Sequence, residues 1–238
     1  MSKIKPFLLV PIWDAVMSTG EMQTLAEHAE SFITQAISGV NMPNAIEMEE
    51  VHIEYDDDYS VSHEYYSYRG VSGDSEHDVK HDYAALISQA LRRSTLITIY
   101  SLFEHHIKKC KKLATQAPGY TKPKEDDGLN ALKQIQIINN IPAYDITKID
   151  DLRLIRNLMT HHDGIIDSYS DDSQKKHAMA SRRLRDEGVL RITTLEGRVV
   201  LNETFLNYAV STIKQYFDEI NIALDLHYKT HTDLPPSN

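Results

Sequence analysis

Apolar residues recur at helical spacing along most of the chain. Between Thr24 and Val40 they fall at Leu25, Ala29, Phe32, Ile33, Ala36, Ile37 and Val40, which predicts a helix ended by Gly39, Asn41 and Pro43. A longer helix is predicted from Asp82 or Tyr83 to about Ala117, capped by Asp82 and stopped by Pro118-Gly119. Its core face carries Leu86, Ile87, Ala90, Leu91, Ile97, Tyr100, Phe103, Ile107 and Cys110. A third helix is expected over 126–140, with Leu129, Leu132, Ile135 and Ile138 inward. A fourth opens at Thr147-x-x-Asp150, in the manner of a capping box. It carries Ile149, Leu152, Ile155 and Met159 on one face and Leu154 and Leu158 on another. Apolar residues on two sides predict burial on both, as at a homodimer interface.

Past that helix the pattern changes. Residues 165–181 read as polar and irregular. RRLRDEGVLRITTLEGRVVLN then alternates as strands do, around Glu196-Gly197, and predicts a small hairpin. Asn202 is placed to cap a final helix with Leu206, Ala209, Ile213, Tyr216, Phe217, Ile220 and Leu224 inward, followed by a polar tail over 229–238. The expected fold class is therefore all-α, a helical bundle with a small β-hairpin before the last helix. The expected organisation is an N-terminal helical segment at 1–46, an acidic tyrosine-rich insertion or linker at 47–82, the main domain at 83–228 and the tail. There is no internal repeat and no glycine-rich phosphate loop.

Composition narrows the class. With 238 residues and a hydrophobic fraction of 41%, the chain is long enough for one sizeable core. No apolar run approaches a membrane span, and KIKPFLLVPIWD does not read as a signal peptide, so no membrane partner is expected. The single cysteine, Cys110, excludes an intrachain disulfide and fits a reducing, cytoplasmic compartment. Its apolar-periodic position marks it as a buried small hydrophobe rather than a nucleophile.

The net charge of −10 is local. Residues 47–82 hold twelve Asp or Glu against Arg69 and Lys80, a balance of −10, and the remainder has 23 acidic and 23 basic residues. A neutral body can still carry the basic patch that phosphate contact requires. Residues 47–82 read equally well as loop or as a short strand pair. They are either a solvated insertion or a docking segment for a basic protein partner, or a mimic of nucleic acid.

The densest chemistry lies in IRNLMTHHDG. Asn157 and His161 are four apart and share a helix face, with Arg156 beside them. A permanent cation, an amide and an imidazole, which titrates near neutral pH, are the parts needed to hold a phosphate and move a proton beside it. None of His105-His106, His161-His162 with Asp163, or His177 forms the i,i+4 His pair with a Glu of a zinc helix, and no Cys pair exists, so neither a metal nor a cofactor is expected.

Arg156-Asn157-x-x-x-His161 resembles the R-x4-6-H signature, with a polar residue after the arginine, of HEPN domains. YSLFEHHI, Tyr100 to Ile107, resembles an early helix of that family, with Glu104 as its inward acid. The Asp163-Gly164 exit and the later hairpin and long helix extend the likeness over roughly 83–228. HEPN domains are small helical bundles, and many are metal-independent ribonucleases of bacterial toxin–antitoxin and antiviral systems.

The resemblance implies RNA cleavage through the 2′-hydroxyl. His161 would carry the proton, Arg156 would hold the phosphate, Asn157 would orient either, and Glu104 would fix the arginine's rotamer. It also implies a homodimer in which two motif copies face each other. RNA-backbone contact would fall to Lys108, Lys109 and Lys112, and to Arg182 and Arg183. Members neutralised by nucleotide transfer carry a tyrosine where this chain has Gly164, so that antitoxin mode is not implied. The alternative is a catalytically inactive, dimeric HEPN-like interaction module.

Overall fold

The computed structural model describes residues 10–56, 59–114 and 145–232. The helix expected over 126–140 and the Pro118-Gly119 stop lie outside the described residues. Within them the architecture is helical, with five helices and two small antiparallel sheets. The order is α1 (Val10–Val40), β1 (Glu47–Asp56), β2 (Tyr59–Tyr68), β3 (Val71–Gly73), α2 (Glu76–Ala114), α3 (Thr147–His161), α4 (Lys176–Asp186), β4 (Leu190–Ile192), β5 (Val199–Leu201) and α5 (Phe205–Thr232). The chain divides into two compact units, Glu27–Ser94 and the rest; α1 and α2 each contribute residues to both.

In the Glu27–Ser94 unit the acidic segment is sheet rather than loop. β1 and β2 pair antiparallel along nearly their whole length, and β3 adds to β2. Arg69 and Gly70 link β2 to β3 with φ of +46° and +83°, the conformation a two-residue hairpin turn demands. Residues 47–52 of β1 are exposed on both faces, so this ribbon buries little of its own. The firm packing lies elsewhere in the unit, where Tyr68 meets Tyr83 edge-on at 4.8 Å and Arg92 grips Glu30 through two contacts of 2.8 Å.

α2 starts six residues before the expected Asp82. Ser75 caps it, accepting the Asp78 N–H at 3.2 Å while its hydroxyl donates to the Asp78 carboxylate at 2.6 Å. The domain boundary drawn at 82/83 thus falls inside a helix.

The second unit holds the apolar core. α1 begins at Val10, well before the expected Thr24, and turns Ile12, Ala15, Met22 and Ala26 inward. Leu25 and Phe32, expected inward, are exposed, while Ala29, Ile33 and Val40 are buried as expected. Phe103 of α2 is the hub. Its ring lies 5.3 Å from Tyr100, 5.8 Å from Tyr216 and 5.5 Å from Phe217, distances at which aromatic pairs add to area burial. Cys110 is buried, and burial pushes its thiol up to about 12, which leaves it inert.

α4 was not foreseen. Residues 176–186 form a helix whose inward positions are Ala178, Ala180, Ser181 and Leu184, closed by Gly188 at φ +76°. The β4–β5 hairpin falls where expected and clamps the segment after α3: Ile166 N–H donates to Gly197 and Val199 N–H to Gly164. Gly197 has no room for a side chain, since a Cβ there would stand 2.6 Å from Tyr169. Asn202 does not cap α5; its amide donates to the Gly188 carbonyl at 2.9 Å. α5 runs on to Thr232, past the expected start of the tail at 229.

Candidate active site

α3 positions the motif. Its entry is fixed by Asp145, whose carboxylate accepts the Thr147 N–H at 2.9 Å, rather than by the expected Thr147–Asp150 box. That bond, and the Thr147 side chain before it, hold the Asp145 carboxyl below the usual range. At the other end His162 and Gly164 N–H groups both donate to the Leu158 carbonyl, at 3.0 and 3.1 Å, with Gly164 at φ +76°.

Seven residues of α3 are buried, Leu154 and Leu158 among them at 6% and 1% exposure. These two leucines were expected to face a second chain. The chain covers them itself, so the doubly apolar helix is explained without a dimer interface there.

What α3 leaves outside is a ridge. Arg153, Asn157 and His161 are spaced four apart, one above the other. Arg153 and Asn157 are half-buried and His161 is exposed. Arg153 pairs with Asp150 at 2.8 Å. Arg156 sits at the edge of this ridge, turned toward α2. It forms an ion pair with Glu104, and its guanidinium lies 4.9 Å from the centre of the Tyr100 ring. Burial, and then the Glu104 charge, push the Tyr100 hydroxyl far above its ordinary pKa, so it stays neutral. The expected Glu104–Arg156 partnership is therefore present, and Tyr100 is a third member.

The five expected RNA contacts divide. Lys108 and Lys112 are exposed and follow Glu104 at four-residue steps, on nearly the same face of α2; Lys109 is half-buried, off that line. Arg182 donates to the Ser170 and Ser173 carbonyls at 3.2 and 2.6 Å. Arg183 is committed to Asp151. Arg185 and Arg198 pair with Asp171, Asp186, Glu196 and Asp163. Arg183, Arg185 and Arg198 are thus each paired with a neighbouring carboxylate, whereas Arg182 is held by neutral carbonyls and Arg191 is exposed.

Two features escaped the sequence reading. One is a cleft of about 390 Å³ lined by Asp145, Lys148, Asp151, Arg183, Glu187 and Tyr208 among others, which includes none of the motif residues. The other is the approach of His177, from α4, to His162, ring centres 5.7 Å apart. Among the described residues, no group of three or more His, Cys, Asp or Glu is placed to hold a metal ion, and no helix is long and apolar enough to cross a membrane. Compared with known proteins, the chain matches no family model, no curated protein and no solved structure.

Proposed function

We propose that this chain is a metal-independent endoribonuclease of the HEPN type, acting as a toxin or antiviral-defence effector. The observation that carries the reading is the fixed Arg156. Glu104 and the Tyr100 face hold the guanidinium beside a ridge that presents Asn157 and His161. A pre-positioned cation next to an accessible imidazole suits a reaction whose transition state gathers charge on phosphate oxygens while a proton moves.

In this mechanism Arg156 shifts part of its donor set from Glu104 to the phosphate, and Asn157 steadies a non-bridging oxygen. His161 takes the 2′-hydroxyl proton as the 2′-oxygen attacks phosphorus. Lys108 and Lys112 guide the RNA strand along α2. The reading includes a homodimer, with the second proton carrier coming from either the partner chain or the same one.

The competing reading is an inactive, dimeric interaction module. It is favoured by the same ion pair, because an arginine already neutralised by Glu104 can serve structure alone. Cleavage of RNA in EDTA, leaving 2′,3′-cyclic phosphate ends, separates the two. His161→Ala and Arg156→Ala are each expected to lower that cleavage by about a hundredfold or more while the fold persists. Cleavage that stops in EDTA and returns with a divalent ion overturns the mechanism. Absence of cleavage by the unaltered chain leaves the interaction module.

A further inference from the structure

Cleavage through the 2′-hydroxyl moves two protons. One leaves the 2′-oxygen as the 2′-O–P bond forms; the other joins the 5′-oxygen as the P–O5′ bond breaks. Attacking and leaving oxygens lie roughly in line on opposite sides of phosphorus. A single imidazole does not reach both at once, so His161 needs a companion.

We propose that His162 is that companion, the second catalytic proton carrier of the same chain, with His177 as its positioning residue. The proposal rests on the ribonuclease reading above. Its basis is the end of α3, where three imidazoles follow one another: His161 on the ridge, His162 next in sequence, and His177 against the His162 ring at 5.7 Å with the planes inclined by 56°. The capping of α3 uses the His162 backbone N–H, not its ring, so the cap does not account for the imidazole. His162 is exposed, as an acid that meets substrate must be, and both His162 and His177 line a cavity of about 80 Å³ beside Leu158.

Exposure sorts the roles. His177 is half-buried and faces His162 and Arg153, while Lys175 and Asp167 line the same cavity. Burial first, then His162 and Arg153, hold its imidazole below the ordinary value. His177 is thus the bracing ring, and the exposed His162 is the one that meets substrate and protonates the 5′-oxygen, while His161 accepts the 2′-proton. The net change is one proton carried from the 2′-oxygen to the 5′-oxygen, giving a 2′,3′-cyclic phosphate and a free 5′-hydroxyl.

The experiment is a pH–rate series on a short RNA in EDTA with the full chain and its variants. His162→Gln is expected to lower kcat about a hundredfold and remove the alkaline limb, with KM and melting temperature unchanged. His177→Lys sets a permanent cation against His162 and is expected to move that limb about one unit toward acid. A purely structural His177 would shift melting and leave the limb in place. Mixing His161→Ala chains with His162→Ala chains is expected to restore nothing, because both groups belong to one site in one chain. Recovery on mixing overturns the proposal, as does a His162→Gln chain that cleaves normally while His161→Ala does not; in both cases the ribonuclease reading stands. An unaltered chain that cleaves no RNA overturns both.

Discussion

Asp151, with 3% of its side chain exposed, is held by Arg183 through two contacts, Nε to Oδ2 at 2.8 Å and Nη2 to Oδ1 at 2.5 Å. The pair ties α3 to α4 one turn from the start of the motif helix. Burial pushes the Asp151 carboxyl up against the pull of Arg183. Removing the arginine leaves that carboxylate buried without a partner. Arg183→Met is therefore expected to cost about 3 kcal/mol in urea unfolding, the lower end for a broken buried pair because Arg183 itself is part exposed. The salt dependence of RNA binding is expected to stay as it was. A stability change below about 0.5 kcal/mol, with a shallower salt slope, would show that Arg183 serves phosphate instead.

Leu158 provides a second test. It is 1% exposed within a single chain, so truncation opens a cavity in the core. Leu158→Ala is expected to cost about 3 kcal/mol, with the mass measured by light scattering unchanged. A cost under about 1 kcal/mol together with a halved mass would return this leucine to an interface between chains.

How legible was all this in the sequence? The expected inward residues of α3, of α5 as far as Ile220, and of α2 from Tyr100 to Cys110 are buried, and the β4–β5 hairpin lies where it was expected. In the first half of α2, however, Leu86 and Ala90 are exposed, Ile87, Leu91 and Ile97 are half-buried, and Leu96 and Ile99 are buried instead. The Glu104–Arg156 pairing was anticipated from the family likeness. The misses have separate physical causes. α4 and the first half of α1 bury Ala, Ser and Thr, which a hydrophobic count passes over although close helix packing selects them. Ser75-x-x-Asp78 was a visible cap, overshadowed by the surrounding charge. For the β1–β2 ribbon the sequence left strand pair and loop equally open: residues 47–52 and 62–65 are exposed, so no buried face decides between them. His162 and His177 are brought together only by the fold of α4.

Acid should weaken this fold through two histidines. Burial first, then neighbouring cations, hold His106 and His177 below the ordinary imidazole pKa of 6.5. For His106 the cations are Lys109 and His105, opposed by Asp14 and Glu21; its Nδ1 is buried with no hydrogen-bond partner. A depressed folded pKa means the unfolded chain binds the proton first. The contribution is present above about pH 6.5 and is lost as pH falls through the folded value. Melting temperature should thus drop between about pH 7 and pH 5, and the slope should be shallower in His106→Gln/His177→Gln. An equal slope in the double variant would assign the acid sensitivity to other groups.

The acidic ribbon contains a repulsion that can be measured. Glu50 of β1 stands directly across from Glu64 of β2, and both are exposed. The hydroxyls of Ser62 and Tyr66 donate to the two carboxylates, which disperses some of the charge without removing it. Like charges in register destabilise a strand pair and opposite charges stabilise it, each on the scale of about 0.2–1 kcal/mol. Glu64→Lys is therefore expected to stabilise the protein by about that amount at low salt, and Glu50→Lys likewise. Reversing both places two cations opposite each other and should forfeit the gain, so the double-mutant cycle gives a coupling energy of opposite sign to the single changes. Raising the salt to about 1 M should shrink all three effects together, since the screening length falls to about 3 Å. Single variants that leave stability unchanged at low salt would mean that Glu50 and Glu64 bend apart in solution, and that their register carries no energy.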